Sequence, residues 1–193
     1  MSEDRRRWEA RYTALESRAE PPSAFLMRYA DLVRGRVLDV AAGAGRNALF
    51  LARRGNTVEA VDIAFAGLRR ARGAALAEGL SLLAVQADLE SFSLPHNRYD
   101  AAINIRYLQR SLFSGLQRAV KPGGVILFET FLIDQQALGH PHNPTFLLHR
   151  GELRAGFAGC DIVVYEEGLF EANGAPAYLA RMIARRRVAA DGD

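Results

Sequence analysis

The chain has 193 residues, of which 49% are hydrophobic and 24% charged, with a net charge of +3. That length suits one domain with a sizeable core, and the composition excludes a disordered chain. The longest apolar runs fall far short of the roughly 20 residues a spanning helix needs, so no membrane partner is expected. One cysteine, Cys160, excludes an internal disulfide and fits a reducing cytoplasm, the location expected here. No basic segment followed by an apolar stretch opens the chain, so no leader is expected. The basic residues are arginine apart from Lys121, and Arg5 to Arg7 and Arg185 to Arg187 cluster near the two ends. They are interleaved with or opposite to acids, read as solvated, and give no nucleic-acid face.

Residues 4–19 read as a helix, with Trp8, Tyr12 and Leu15 recurring at roughly i, i+4 and i+7. Pro21-Pro22 ends it. Ser23 caps a second helix carrying Phe25, Leu26, Tyr29, Leu32 and Val33 on its apolar face, which Gly35 closes. Val37, Leu38 and Val40 form a short covered strand. Gly43 and Gly45 then remove two Cβ atoms where the backbone turns tightly and lets a ligand approach. The helix over 46–54 points its free N–H groups back at that turn.

Strands follow over 57–62, 81–87, 99–105 and 125–130, with helices over 64–78 and 111–120 and a Lys121-Pro-Gly-Gly124 turn before the fifth strand. A loop over 132–149 is rich in Gly, His, Pro and Asn, and loops of that length in compact domains are usually functional or disordered. A short helix over 152–158 and strands over 161–167 and 177–184 complete the chain. The alternation predicts an α/β fold with βαβ crossovers and a mostly parallel sheet in a single domain, 1–193.

The run Gly43-Ala-Gly-Arg-Asn-Ala48 satisfies the dinucleotide pattern G-x-G-x-x-A, and Asp62 lies where a ribose-binding acid belongs. NAD is therefore an open competitor. Three features favour another cofactor: Asp39 inside the first strand, Asp88 after the third, and Lys121-Pro-Gly-Gly124 before the fifth.

With these residues the sequence resembles the class I S-adenosylmethionine-dependent methyltransferases, whose signature is D-x-x-x-G-x-G. The resemblance covers about 37–184 and implies a Rossmann-like seven-stranded sheet, mostly parallel with the last strand antiparallel, and helices on both faces. It implies that Asp39 and the backbone of Ala41, Gly43 and Gly45 hold the methionine moiety, and that Asp62, with Ile63 beside it, takes the ribose hydroxyls. Asp88 would bind the adenine amino group with Leu89 against the ring, and Asn104 and Ile105 would lie beneath the sulfonium. The physics agrees, since a cofactor with an ammonium, a sulfonium and no pyrophosphate welcomes acids at the turn.

Ala41 departs from the family's first glycine, a change tolerated where φ stays negative. Asp62 also suits an N-cap and Asp88 a turn, whereas Asp39 within an apolar strand has no such alternative use. Within the family the chain is similar to the small tellurite-resistance and thiopurine type, carried by Trp8-Glu-Ala-Arg-Tyr12 and Gly45-Arg-Asn-Ala48. That implies an N-terminal lid over 1–34, with Trp8, Arg11 and Tyr12 above the cofactor, a core over 35–185 and a basic, flexible tail over 186–193. The alternative for the first helix is plain packing on the core.

The family motif N/D-P-P-Y/F is absent, because Asn104 precedes Ile-Arg-Tyr; base and glutamine methylation are therefore disfavoured. The acceptor side, at the ends of the fourth and fifth strands, would gather Arg106, Tyr107, Arg110, Glu129, Thr130 and Phe131, with Gln135, His140 and His142 in the loop. Glu129, His140 and Tyr107 are the catalytic candidates, Glu129 as a partly buried acid and His140 as a base near neutral pH. Arg106 or Arg110 either binds an anionic acceptor or pairs with Glu129. No metal is called for. The expected activity is methyl transfer to a small molecule with S-adenosylhomocysteine as product. The alternatives are a non-catalytic cofactor-binding module, an NAD-binding protein and an RNA-methylating one. Acceptor and oligomeric state are not legible.

Overall fold

The computed structural model describes residues 3–14, 20–172 and 174–188. Seven strands form one sheet in the order β3-β2-β1-β4-β5-β7-β6. They are β1 (Arg36–Val40), β2 (Thr57–Asp62), β3 (Leu82–Gln86), β4 (Tyr99–Ile105), β5 (Val120–Phe131), β6 (Cys160–Ala172) and β7 (Ala175–Arg186). The first five run parallel, while β7 pairs antiparallel with both β5 and β6. The strand order reverses between β1 and β4, and that reversal opens a crevice at the carboxyl ends of the two strands.

Helices cover both faces. One face packs α2 (Ala24–Arg28), α3 (Arg46–Arg53) and α4 (Phe65–Ala77) against Val37, Val58, Ile103 and Leu127. The other packs α5 (Leu112–Ala119) and α6 (Glu152–Gly156) against Leu38, Ala102, Ile126 and Phe128. Both faces of β1 and β4 are buried, which is why those strands read as apolar runs without alternation. α1 (Glu3–Ala14) lies outside these layers and buries none of its side chains.

The sequence places β1 to β4 within a residue or two at each end. Three expectations shift. The Lys121-Pro-Gly-Gly124 turn is a bulge inside β5: Tyr99 pairs with Val120, then Ala101 with Val125. The last two strands are longer than expected, because Leu169, Phe170 and Glu171 pair on across Gly168 to Tyr178, Ala177 and Pro176. β6 is an edge strand with most residues half-buried, so its sequence lacks the alternation that would have extended it. Arg185 to Arg187 are anchored rather than simply solvated: Arg185 donates to Gly123 O, Arg186 to Asn97, Arg118 O and Val120 O, and Arg187 pairs with Asp161. Leu15 and residues 16–19 of the first expected helix, and residues 189–193 of the expected tail, lie outside the described residues.

Candidate functional site

β1 delivers Asp39 into the core one register step before the turn. Asp39 is 1% exposed, and its Oδ2 has no hydrogen-bond partner among the described residues. Burial pushes its carboxyl up to about 8, and nearby Asp62 adds to the rise, against the pull of Arg46 and a hydrogen bond from the Ala48 backbone. A buried carboxyl with one oxygen unpartnered beneath a glycine turn is costly unless a cation reaches it.

The turn itself corrects one expectation. Ala41 sits at φ +54, in the left-handed region, not at negative φ. The family's glycine position thus keeps its backbone conformation with a Cβ attached, at roughly 1 kcal/mol of strain. Gly43 and Gly45 have tertiary reasons for lacking Cβ atoms. One built on Gly43 would lie 2.2 Å from the Tyr12 hydroxyl oxygen, and one on Gly45 would lie 2.5 Å from the Ala71 Cβ. At Gly45 the close approach of α4 leaves no room for a side chain, while at Gly43 the obstacle is the tip of the Tyr12 side chain.

Asp62, at the end of β2, accepts from Gly43 N and Ala64 N, both at 2.8 Å. It therefore fastens the glycine turn to the residue just before α4; the N-cap of that helix is Ala64, so Asp62 is not the helix cap the sequence allowed. Burial raises its carboxyl, while the N–H groups of Ala64, Gly43 and Ile63 hold it down. Asp88 closes a turn by accepting from Glu90 N, as the sequence allowed, and Leu89 beside it is buried. Ile63 lends its carbonyl to Gln86. Asn104 is buried at the end of β4 and donates to Tyr107 O at 2.7 Å.

α1 docks on the same corner. Glu9 accepts from Ala66 N at the first turn of α4, and Tyr12 rests between Gly43 and Gly67. Burial and nearby Asp62 push the Tyr12 hydroxyl up to about 12. The guanidinium of Arg11 lies 5.4 Å from the Trp8 ring centre.

The three catalytic candidates occupy three separate settings. Tyr107 donates to Gln109, which in turn holds Leu89 O, so it belongs with the β3 end of the crevice. Glu129, 1% exposed on β5, accepts from Ser23 Oγ at 3.1 Å and Arg181 Nε at 2.8 Å. His140 lies in the loop after β5, its ring 4.4 Å from that of His142, with its carbonyl taken by Gln135. Of the two arginines left open, Arg110 is committed: it holds Glu152, Thr145 O and Leu147 O and braces the loop. Arg106 is not so committed. It sits at φ +61 and packs over Phe131, and its Nε is buried without a hydrogen-bond partner among the described residues.

Sequence reasoning missed Ser23, Asn47 and Arg181. Ser23 N donates to Asn47, its hydroxyl donates to Glu129, and Glu129 holds Arg181. This buried chain ties α3, α2, β5 and β7 together just beside the crevice. Only a helix cap and a lone arginine in an apolar strand announced it. An open depression of about 630 Å³, lined by Arg154, Cys160 and Arg187, lies at the opposite, amino-terminal end of the sheet and belongs to neither group. Among the described residues no cluster suits a metal ion, and no helix is long and apolar enough to cross a membrane.

The sheet order and the glycine turn are those of the Rossmann-like seven-stranded fold that the resemblance implied. Residues 37–124 match the family described as "Methyltransferase domain". The ubiquinone biosynthesis O-methyltransferase of Salmonella arizonae is 35% identical over 101 residues, 49% of this chain and 42% of that protein. The chain thus spans less than half the length of the curated relatives it matches. Among solved structures, one described as "Conversion of a Disulfide Bond into a Thioacetal Group during Echinomycin Biosynthesis" superposes with a TM-score of 0.77 at 23% identity, covering 97% of this chain and 94% of that one. TehB from Haemophilus influenzae follows with 0.73 at 20% identity, over 84% and 61%. At those identities the likeness is one of fold.

Proposed function

We propose that the protein binds S-adenosylmethionine at the carboxyl ends of β1, β2 and β4 and catalyses methyl transfer to a small-molecule acceptor. The observation that carries the reading is the unpartnered, buried Oδ2 of Asp39 beneath Gly43, with Asp62 close by. Two carboxyls at one turn suit a cofactor with an ammonium and repel a pyrophosphate, which disfavours NAD.

When bound, the cofactor supplies a methyl carbon already activated by its sulfonium. The residues present fit it. Asp39 would receive the ammonium and lose its proton in doing so, and Asp62 keeps lone pairs for the ribose hydroxyls while two N–H groups fix its rotamer. Asp88, with Leu89 and Ile63, would hold the adenosine, and Asn104, locked by Tyr107 O, would form the floor. Tyr12 and α1 would cover the turn and exclude water. The protein's remaining task is to align an acceptor nucleophile within about 3–3.5 Å. Glu129 serves the site by holding Arg181 and Ser23, and His140, in the loop after β5, would be the group that takes a proton from a hydroxyl or thiol acceptor.

Calorimetry with S-adenosylhomocysteine and with NAD(H) tests the binding: micromolar affinity for the first and none for the second is expected, and the reverse overturns the reading. Turnover with radiolabelled donor over thiols, phenols and carboxylic acids tests the transfer. Binding with no transfer to any of them would favour a non-catalytic module.

A further inference from the structure

The acceptor end of the crevice has its own electrostatic signature. Arg106 leaves the carboxyl end of β4 in a left-handed conformation, φ +61, that a branched cationic side chain rarely adopts without a compensating use. This conformation lays its guanidinium 5.1 Å from the Phe131 ring centre. Its Nε is buried with no hydrogen-bond partner among the described residues, while the side chain as a whole stays 23% exposed. The nearest acid does not complete it. Glu129 Oε1 stands 3.9 Å from Nε, and its carboxylate already accepts from Ser23 and Arg181. Burial and the guanidiniums of Arg46 and Arg181 all weigh against the charge on Arg106, with Glu129 and Glu20 opposing them. A cation in that position is stabilised by an added anion.

Next to it the hairpin of β6 and β7 and the end of β5 bring Phe131, Phe170 and Leu179 into a small apolar cluster separate from the main core. The cluster and Arg106 flank the carboxyl ends of β4 and β5, where the register sets Ile105 beside Glu129 and Phe131 beside Leu179. A planar, partly exposed guanidinium beside the Phe131 ring matches a carboxylate on an aromatic body.

Building on the methyltransferase reading, we infer that Arg106 is the anion subsite for an acceptor that carries a carboxylate on an apolar, aromatic frame, packed beside Phe131. Its role is to hold the acceptor, and the proton chemistry lies elsewhere.

The test compares matched acids and amides: 2-mercaptobenzoate and 3,4-dihydroxybenzoate against their carboxamides, titrated by calorimetry into the full chain with and without S-adenosylhomocysteine. At least one acid should bind about ten-fold more tightly than its amide, with the preference shrinking as salt rises. Arg106→Gln should erase that preference and leave S-adenosylhomocysteine affinity within about three-fold, while Arg106→Lys should retain part of it, because charge survives and the fork does not. Thermal melts check that both variants fold, and Arg106→Lys carries the comparison if Arg106→Gln does not. Equal binding of acids and amides to the wild type, absence of any acid binding, or an acid preference that survives in Arg106→Gln would overturn the inference. Failure of S-adenosylhomocysteine to bind would overturn the cofactor reading instead, and the acid-to-amide comparison on the protein alone would still decide the anion subsite.

Discussion

Asp39 makes the apoprotein's stability depend on pH in an unusual direction. Its folded carboxyl is raised to about 8, above the unfolded carboxylate range near 4, so the folded state holds the extra proton. This contribution is fully present below about pH 4, declines as pH climbs toward 8, and is flat beyond. Thermal melts across that window should show the decline in the wild type, its loss in Asp39→Asn, and its reduction when S-adenosylhomocysteine brings an ammonium to the site; an Asp39→Asn profile that tracks the wild type would remove Asp39 as the cause. Ala41 gives a backbone test. Ala41→Gly relieves left-handed strain while adding unfolded-state entropy, so denaturant melts should find it neutral to about 1 kcal/mol more stable. Ala41→Val should be less stable than wild type, because a β-branched residue fits that region worst. For Asp62→Ala, loss of acceptors for Gly43 N and Ala64 N should cost about 1–3 kcal/mol of stability, together with about ten-fold or more in S-adenosylhomocysteine affinity. The affinity loss separates a cofactor role from a purely structural one.

Among the elements, α1 and the 20–28 segment behave differently. α1 buries no side chain and is held through Glu9 on Ala66 N, Arg70 on Thr13 O and the seat of Tyr12 on the glycine turn. Segments with so few buried contacts open at low free energy. Amide exchange in α1 should be fast in the apoprotein and slow on adding S-adenosylhomocysteine, if the helix closes over the cofactor; exchange unchanged by the ligand would make it ordinary packing. The 20–28 segment is instead pinned, by Arg46 on Glu20 and Pro21 O and by the buried chain from Asn47 through Ser23 to Glu129. Glu129→Ala should destabilise the fold by about 3–5 kcal/mol, because Arg181 is left buried without its carboxylate. A variant that melts like the wild type but has lost all turnover would instead support Glu129 as a catalytic group.

At the level of the whole molecule, the crevice exists because strand order reverses between β1 and β4, and each edge of it has its own chemistry. Toward β2 and β3 lie Asp62, Asp88 and Leu89; toward β5 and β7 lie Arg106, Arg181 and Phe131. Under the proposed reading the acid side would take a cationic cofactor and the arginine side an anionic acceptor, separating them by charge as well as by place. The amino-terminal end carries a different cluster. There burial would raise Glu59, but Arg36, Tyr99 and Arg98 hold it below the usual range, so it fastens β1, β2 and β4 away from the chemistry.

What the sequence determined by itself was local and covalent. Apolar runs, glycine breaks and helix caps located β1 to β4 nearly to the residue, and Asp39, Gly43, Asp62 and Asp88, in or just after successive strands, carried the resemblance that implied the cofactor class. What only the tertiary structure decided was which side chains meet. Arg110 and Arg106 look alike in sequence, yet one is saturated by Glu152 and loop carbonyls and the other keeps a buried Nε without a partner. Glu129 read as a partly buried functional acid and lies between Ser23 and Arg181, residues 106 and 52 positions away along the chain. Ala41 read as an ordinary strand residue and carries a left-handed φ. Hydrogen-bond partners across such separations, and the backbone strain that a fold imposes at a turn, follow from how the sheet brings strands together, and that information is absent from any local window of sequence.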